Sequence, residues 1–384
     1  MMRATKIGVS SVIFASLIVV MSIAPAANAA PAAAQRPPLP IILWAAGDLY
    51  AADAARPDAL PQRLTDDGTL SAPRIAYPES HSSGVIAVKQ LAPIARAALD
   101  RVPAEGFIAE YDLPADIALY DVGTGTLTPI ATQPNDAALF VDGVADRAFV
   151  RSAPVFSFDR RMIFWTELDF GTTTARVRSY ALDGGAIFTL TETIPIPLFN
   201  QRAPDIRTPT DGYAVFAAAD AASDHHFAFY NHAGLPTATA ILTPDIGDEV
   251  MIVEPINGAQ LGVLFASGRW AQIDIRTGAI SAPAAPPVLT INNGVRLDFA
   301  VDPDLGMYWE TRDLSDPAAA SGAFPGKPGD VALSPDGGYI AFTGYPSFGG
   351  AAIWRAGAIT PLAGTGAGAL IVGAILWSDA TWNG

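Results

Sequence analysis

The sequence predicts an all-β fold, a β-propeller of four-stranded blades, on three observations. First, a strand, turn and strand unit recurs along the chain. It is clearest at Ser334-Pro335-Asp336-Gly337-Gly338-Tyr339-Ile340-Ala341-Phe342. Degenerate copies run Ser157-Phe158-Asp159-Arg160 into Met162-Ile163-Phe164-Trp165, Thr210-Asp211-Gly212 into Tyr213-Ala214-Val215-Phe216, and Asn257-Gly258 into Leu261-Gly262-Val263-Leu264-Phe265. Second, these units alternate with another, a strand followed by Asp-x-x-Thr-Gly, at Asp121 to Gly125 and Asp274 to Gly278. One hairpin of each kind makes a four-stranded unit, and a period of about 40 to 50 residues with several strands marks blades that bury their faces only against one another. Third, 384 residues with 50% hydrophobic and 16% charged suffice for a sizeable core in one domain.

The elements follow in chain order. Arg3 and Lys6 precede an apolar run from Ile7 to Ile23, and Ala27-Asn28-Ala29 offers the small residues of an export cleavage site, so residues 1–29 read as a signal peptide. The competing reading is a retained anchor, because the run is near the lower length limit for a bilayer span. The Ala/Pro-rich residues 30–40 read as an extended linker, and the propeller domain as 41–384. The later apolar stretch Ala369 to Trp377 is too short to span a membrane and reads as a buried strand. The chain has no cysteine, which excludes disulfides, thiolate metal sites and a lipidated cysteine.

Within the domain, the Asp of each Asp-x-x-Thr-Gly turn caps the turn with its carboxylate and the Gly takes a positive φ. Looser versions are Asp183-Gly184-Gly185, Asn231-His232-Ala233-Gly234 and Trp354-Arg355-Ala356-Gly357. First-hairpin turns fall near residues 80, 159, 211, 257, 304 and 336, and the apolar segment ending at Trp377 supplies a seventh unit. The Ala318-Ala319-Ala320-Ser321-Gly322 stretch reads as loop where a second hairpin is due. The count is therefore seven blades, with six as the alternative. Ile41 to Asp53 is read as the second hairpin of a blade whose inner strands come from the C-terminal segment, so strands from both termini close the ring and Trp44 and Trp377 are core residues there.

The Ser-Pro-Asp-Gly turn before Ile340-Ala341-Phe342 resembles the repeat of the TolB-type β-propeller family, and the resemblance spans residues 41–384. Pro154 to Trp165 matches with Phe158 where the repeat has proline and Arg160 where it has glycine. The resemblance implies an interaction scaffold, on a fold that enzymes also use.

Function is read from what remains. A formal charge of −15, about −17 without the first 29 residues, and only three lysines exclude nucleic acid as the expected partner. Loops joining the hairpins share one face, which would carry the longest excursions, Gln90 to Glu110 with a short helix at Ile94 to Leu99, Gln133 to Arg151, and Ala217 to Asp224. Asp224, His225, His226 and His232 suggest a metal cluster, but His232 sits at the far end of a strand that starts at His225, roughly 20 Å away at about 3.3 Å per residue. Trp165-Thr166-Glu167 and Trp309-Glu310-Thr311 occupy matching places after the second strand of their blades. Trp165, Glu167, Asp169, Trp309, Glu310 and Arg312 are therefore the candidate ligand-binding residues, with Asp313 a further acid for the channel mouth. Paired carboxylates beside tryptophans suit sugar binding or glycoside cleavage. The competing reading is blade packing for the tryptophans, solvation for the acids, and for Arg312 an ion pair with one of them.

No Gly-x-Ser-x-Gly elbow or phosphate-binding glycine loop is found, and the array reaches the end of the chain, so the hydrolase domain of some propeller peptidases is not expected. No catalytic residue, metal ligand or cofactor follows from the sequence. The expectation is a secreted, periplasmic or extracellular, non-catalytic binding or scaffolding module with a protein or glycan partner and no membrane span after signal cleavage. The alternative is a carbohydrate-active hydrolase or lyase.

Overall fold

The structure, a computed structural model, describes residues 40–73, 81–82, 84–99, 113–134, 148–169, 172–199, 202–283, 290–292, 295–302, 306–313, 320–325, 331–335, 339–346, 348–355 and 358–378. The expected signal segment and nearly all of the linker lie outside them.

Strands β1 (Pro40–Ala45), β2 (Asp48–Asp53) and β3 (Gln62–Arg63) form an antiparallel meander, followed by the short β4 (His81–Ser82). β5 (Val85–Leu91), β6 (Ala115–Asp121) and β7 (Thr126–Ala131) make a second sheet, with α1 (Pro93–Leu99) between β5 and β6. The third sheet contains β8 (Phe149–Arg151), β9 (Val155–Phe156), β10 (Met162–Asp169), β11 (Thr174–Ala181) and β12 (Ile187–Thr191). Its innermost strand is broken into β8 and β9, which pair with opposite ends of β10. The fourth sheet runs β13 (Asp205–Arg207), β14 (Gly212–Ala217), β15 (His225–Asn231), β16 (Pro236–Leu242). The fifth runs β17 (Val250–Asn257), β18 (Gln260–Phe265), β19 (Trp270–Asp274), β20 (Ile280–Ser281). The sixth runs β21 (Thr290–Asn292), β22 (Val295–Asp302), β23 (Gly306–Asp313), β24 (Ala320–Pro325). The seventh runs β25 (Val331–Leu333), β26 (Ile340–Thr343), β27 (Ala351–Arg355), β28 (Ala358–Pro361), and β29 (Ala374–Ser378) returns to the first sheet.

Among the described residues, six of these sheets have four or more strands, so the count of complete blades is six rather than seven. The β5–β7 sheet has three, and its fourth place is reduced to a single bridge, Leu70 opposite Gln90. The cause is local. Ser71 gives its hydroxyl rather than its carbonyl to the Lys89 N–H, at 3.0 Å, and Pro73 has no N–H with which to extend the ladder.

The first and last strands share a sheet. β29 pairs antiparallel with β1, Ile41 opposite Trp377 and Trp44 opposite Ala374, and β4 adds parallel to its other side. The order β29-β1-β2-β3 makes β1 and β2 the second and third strands, not a second hairpin, and the C-terminal segment supplies one inner strand. Trp377 is fully buried, packs in one cluster with Ile41, Leu43 and Ala52 of its own sheet and Ala332, Ala341 and Ile353 of the seventh, and donates its indole N–H to the Ala332 carbonyl at 2.8 Å. Trp44 is half-buried, with its indole N–H on the Leu70 carbonyl at 2.8 Å.

Alternation along each strand divides the core between blade neighbours. On β10, Ile163 and Trp165 face the β5–β7 sheet with Ala87, Ile117 and Ala131, whereas Phe164 and Leu168 face the fourth sheet with Ile206, Tyr213 and Val215. The fourth and fifth sheets meet through Phe227, Phe229, Leu261, Val263 and Phe265.

The turn chemistry is as the two motifs require. Thr124 N–H and Thr277 N–H bond the carboxylates of Asp121 and Asp274 at 2.8 and 3.1 Å, and Gly125 and Gly278 take φ of 72° and 73°. In the other motif, Ser157 and Ser334 bond the N–H of the residue five places on with their hydroxyls, at 3.0 and 2.9 Å. Asp336 to Gly338 lie outside the described residues. Arg160, where the repeat carries glycine, has φ of 58°, a left-handed backbone that costs an L-residue with a Cβ about 1 kcal/mol.

Two local expectations fail in the sixth sheet. The expected turn near residue 304 falls between the second and third strands, because β21 and β22 already pair as the first hairpin, with Asn292 opposite Val295. The Ala/Ser/Gly stretch at 320 is strand β24, paired with β23 despite its weak β-propensity, since backbone pairing decides at a sheet edge. The short helix expected at Ile94 is α1. Among the described residues, no helix is long and apolar enough to cross a membrane.

Candidate functional site

The candidate residues of the third sheet meet a set of arginines that the sequence reading passed over. Register builds the cluster. In β10, Glu167 lies directly opposite Arg151 of β8 on one side and Arg176 of β11 on the other, and Trp165 lies opposite Arg178. Residues directly opposite on antiparallel strands share a face, so these five side chains converge between the third sheet and the β5–β7 sheet.

Glu167 is 2% exposed and its oxygens are filled. Oε1 accepts the Arg151 Nε–H at 2.8 Å and the Trp165 indole N–H at 3.1 Å. Oε2 accepts the Arg176 Nε–H at 2.9 Å, and Arg178 Nη1 stands 3.5 Å from it. Burial by itself would push this carboxyl up, but the Arg151 charge, the bonds from Trp165 and Arg151, and the Arg176 charge hold it below the ordinary glutamate range.

Arg151 also clips two sheets together. Its Nη1 donates to the carbonyls of Ala115 and Ala131 at 2.9 Å each, and Nη2 to Thr132 at 3.1 Å, all at the ends of β6 and β7. Gln133 works beside it, with its amide nitrogen on the Ala115 and Phe149 carbonyls and its oxygen accepting the Phe149 N–H. Asp116, 3.7 Å from Arg151, is pushed up by burial against the pull of the Gln133 N–H and the Arg151 charge. A similar clip joins the next junctions, where Arg207 of β13 donates to the Val253 carbonyl of β17 at 2.7 Å.

Trp165 and Glu167 were expected as ligand-binding residues of the loop face, and the structure buries both, Trp165 fully. The packing reading of the tryptophan is the observed one. Asp169 ends β10 opposite Thr174 and is partly exposed. The proposed equivalence with the sixth sheet fails: Trp309, Glu310 and Arg312 lie on β23, the third strand of its sheet, whereas β10 is the second of its own. Adjacent strands run in opposite directions, so Asp313 at the end of β23 and Asp169 at the end of β10 point to opposite ends of their blades. In register, Trp309 stands opposite Phe299, Glu310 opposite Asp298 and Arg312 opposite Arg296. The structure brings the Trp165 and Glu167 pair together with arginines.

The histidines separate as their spacing predicts. His225 begins β15, buried, with Nδ1 2.8 Å from the Ser223 carbonyl, and His232 lies in the hairpin beyond its far end, with Nε2 2.6 Å from the Thr210 carbonyl. Among the described residues, no group of three or more His, Cys, Asp or Glu side chains could hold a metal ion.

A signal for the arginines was present. Thr174-Ala175-Arg176-Val177-Arg178 alternates polar and apolar residues, and the antiparallel pairing of β10 with β11 sets Glu167 against Arg176. What sequence could not supply was Arg151, because the break between β8 and β9 shifts the inner strand against β10.

No protein-family model matches the chain, and no curated protein matches it. Among solved structures, the chain is similar to TolB from Acinetobacter baumannii at 13% identity and a TM-score of 0.40, covering 88% of this chain and 66% of that one. It is similar to a puromycin-hydrolyzing peptidase of Mycobacterium tuberculosis at 13% identity and 0.46, covering 85% of this chain and 53% of that one. It is also similar to a putative 6-phosphogluconolactonase from Bacteroides fragilis at 11% identity and 0.45, covering 91% of this chain and all of that one, 100%. The chain thus spans about half of the peptidase and about two thirds of TolB. The strand order and register described above make this chain a β-propeller.

Proposed function

We propose that the chain is an exported, non-catalytic binding or scaffolding propeller of the TolB type, closed by strands from both termini, that acts at the cell envelope or outside it. Its ligand sits at the end of the third sheet where β10 passes into β11, bounded by Asp169, Arg176 and Arg178. Trp165 and Glu167 support that surface from beneath. Trp309, Glu310 and Arg312 remain proposed contributors from the sixth sheet.

The observation that carries the non-catalytic reading is the enclosure of Glu167. A general acid in glycoside cleavage holds its proton near neutral pH and reaches the leaving oxygen. Glu167 is instead buried, saturated by arginine and indole donors, and held below the usual carboxylate range. The export reading rests on the basic, apolar and small-residue order of residues 1–29.

The test is expression of the full chain in a bacterial host, with N-terminal sequencing of the exported product and its assay on a panel of chromogenic glycosides and polysaccharides. The expected product begins at Ala30 and turns over none of them. Turnover that disappears in Glu310→Gln would contradict the non-catalytic reading, and retention of the full N-terminus would contradict export.

A further inference from the structure

We propose that Arg176 and Arg178 form a binding site for a single oxyanion, the carboxylate, phosphate or sulfate group of the ligand. The inference rests on the reading that this surface binds rather than cleaves, and it names the chemistry of what is bound.

The case begins with a charge imbalance. Three guanidiniums converge on one buried carboxylate, which leaves the buried cluster about +2, or about +1 with Asp116 included, while the exposed Glu192 acts on Arg178 from the solvent side. The chain as a whole carries −15, so this is a cationic spot on an acidic protein. Glu167 satisfies the three arginines unequally. Arg151 is 4% exposed and spends its donors on Glu167 and three backbone carbonyls. Arg176 spends Nε and Nη2 on Oε2, and its guanidinium lies 4.6 Å from the centre of the Phe149 ring, which fixes its plane. Arg178 arrives last. Its Nη1 stands 3.5 Å from an oxygen already engaged, and among the described residues its side chain makes no hydrogen bond, with Nε buried and unpartnered.

An arginine held in this way is ion-paired to Glu167 but keeps donors that no acceptor hydrogen-bonds. N–H groups in a planar fork match an oxyanion. The side chains of Arg176 and Arg178 are still 28% and 22% exposed, so an anion from solvent can reach both. They alternate on one face of β11, about 7 Å apart along the strand, which suits two guanidiniums gripping one tetrahedral or planar anion. Burial and the repulsion of Arg176 and Arg151 lower the Arg178 value, against the pull of Glu167 and the exposed Glu192. A bound anion would relieve that repulsion. A metal ion or cationic ligand would be repelled here, and neither guanidinium offers an acceptor to a sugar hydroxyl.

The experiment is thermal unfolding of the chain from Ala30 in sodium phosphate, sulfate or acetate, each against sodium chloride at matched ionic strength, with calorimetric titration of any anion that stabilises. At about tenfold over Kd the expected rise in Tm is roughly 2 °C. Arg178→Gln and Arg176→Gln should each weaken binding roughly tenfold, and Arg178→Lys, which keeps the charge without the fork, by a few-fold. Whichever anion acts identifies the group the ligand presents. The same Tm in every oxyanion as in chloride overturns the proposal, and so does a shift that persists in the Arg176→Gln, Arg178→Gln double variant. The wild-type titration decides even where a variant fails to fold. Glycoside turnover would overturn the binding reading and leave an anion-dependent shift standing, so the two failures are distinguishable.

Discussion

Trp377→Ala is expected to cost about 3–5 kcal/mol of stability, the range for deleting a buried aromatic from a packed core. In a domain of this size that corresponds to a fall in Tm of roughly 4–7 °C. The magnitude follows from position. Trp377 is fully buried on the last strand, packs against both its own sheet and the seventh, and its loss also strands the Ala332 carbonyl. Because β29 is the only contribution of the C-terminal segment to the first sheet among the described residues, the weakened junction should also unfold first. Guanidinium unfolding followed by tryptophan fluorescence measures the loss. A cost below about 1 kcal/mol would mean that the pairing of β29 with β1 contributes little to the fold.

Glu167→Gln should be comparably severe, about 3–5 kcal/mol, because removing one partner from a buried ion cluster leaves uncompensated charge. Here three guanidiniums lose the carboxylate they share, leaving Asp116 3.7 Å from Arg151 and the exposed Glu192 acting on Arg178. A catalytic carboxylate behaves differently: sites held for chemistry are commonly neutral or stabilising when replaced. Equilibrium unfolding of Glu167→Gln at pH 7 therefore separates a structural acid from a catalytic one. An unchanged or raised stability would argue that the carboxylate is kept for a reaction.

The fold was legible where local chemistry is strict. Asp121-x-x-Thr124-Gly125 and Asp274-x-x-Thr277-Gly278 admit few other turns, and the serine of Ser334-Pro335 bonds across its hairpin as the repeat implies. Blade number was less legible because it depends on strands at their shortest. Whether Thr69 to Pro73 becomes a strand or a single bridge turns on one serine hydroxyl and one proline. In the sixth sheet the acid-rich composition of residues 302–306 resembles a first-hairpin turn, but β21 and β22 pair before it, Asn292 opposite Val295, which puts Trp309 and Glu310 on a third strand and not in the place Trp165 and Glu167 hold on a second.

The candidate site was half legible for a related reason. Acids and tryptophans attract notice by type, but what they do depends on their cross-strand neighbours. Glu167 reads as a free acid until Arg151 and Arg176 are placed opposite it. The register with Arg176 follows from a hairpin within one segment, whereas the register with Arg151 passes through the break between β8 and β9. Asp224, His225 and His232 show the opposite case, where simple strand geometry was enough to separate them.

Glu167 is a locked ion-pair acceptor, buried and filled by donors from Arg151, Trp165 and Arg176. The most direct test is the titration of the Glu167 carboxyl, followed by 13C NMR of the chain from Ala30 and assigned with Glu167→Gln. The folded value lies below the ordinary range, so its contribution to stability is complete above the unfolded value of about 4.3 and is lost only as pH falls through the folded value. Asp116, raised by burial, works in the opposite sense and is distinguished by its own resonance. No protonation of Glu167 is expected between about pH 8 and pH 5. A midpoint near pH 6, where a general acid holds its proton, would contradict it.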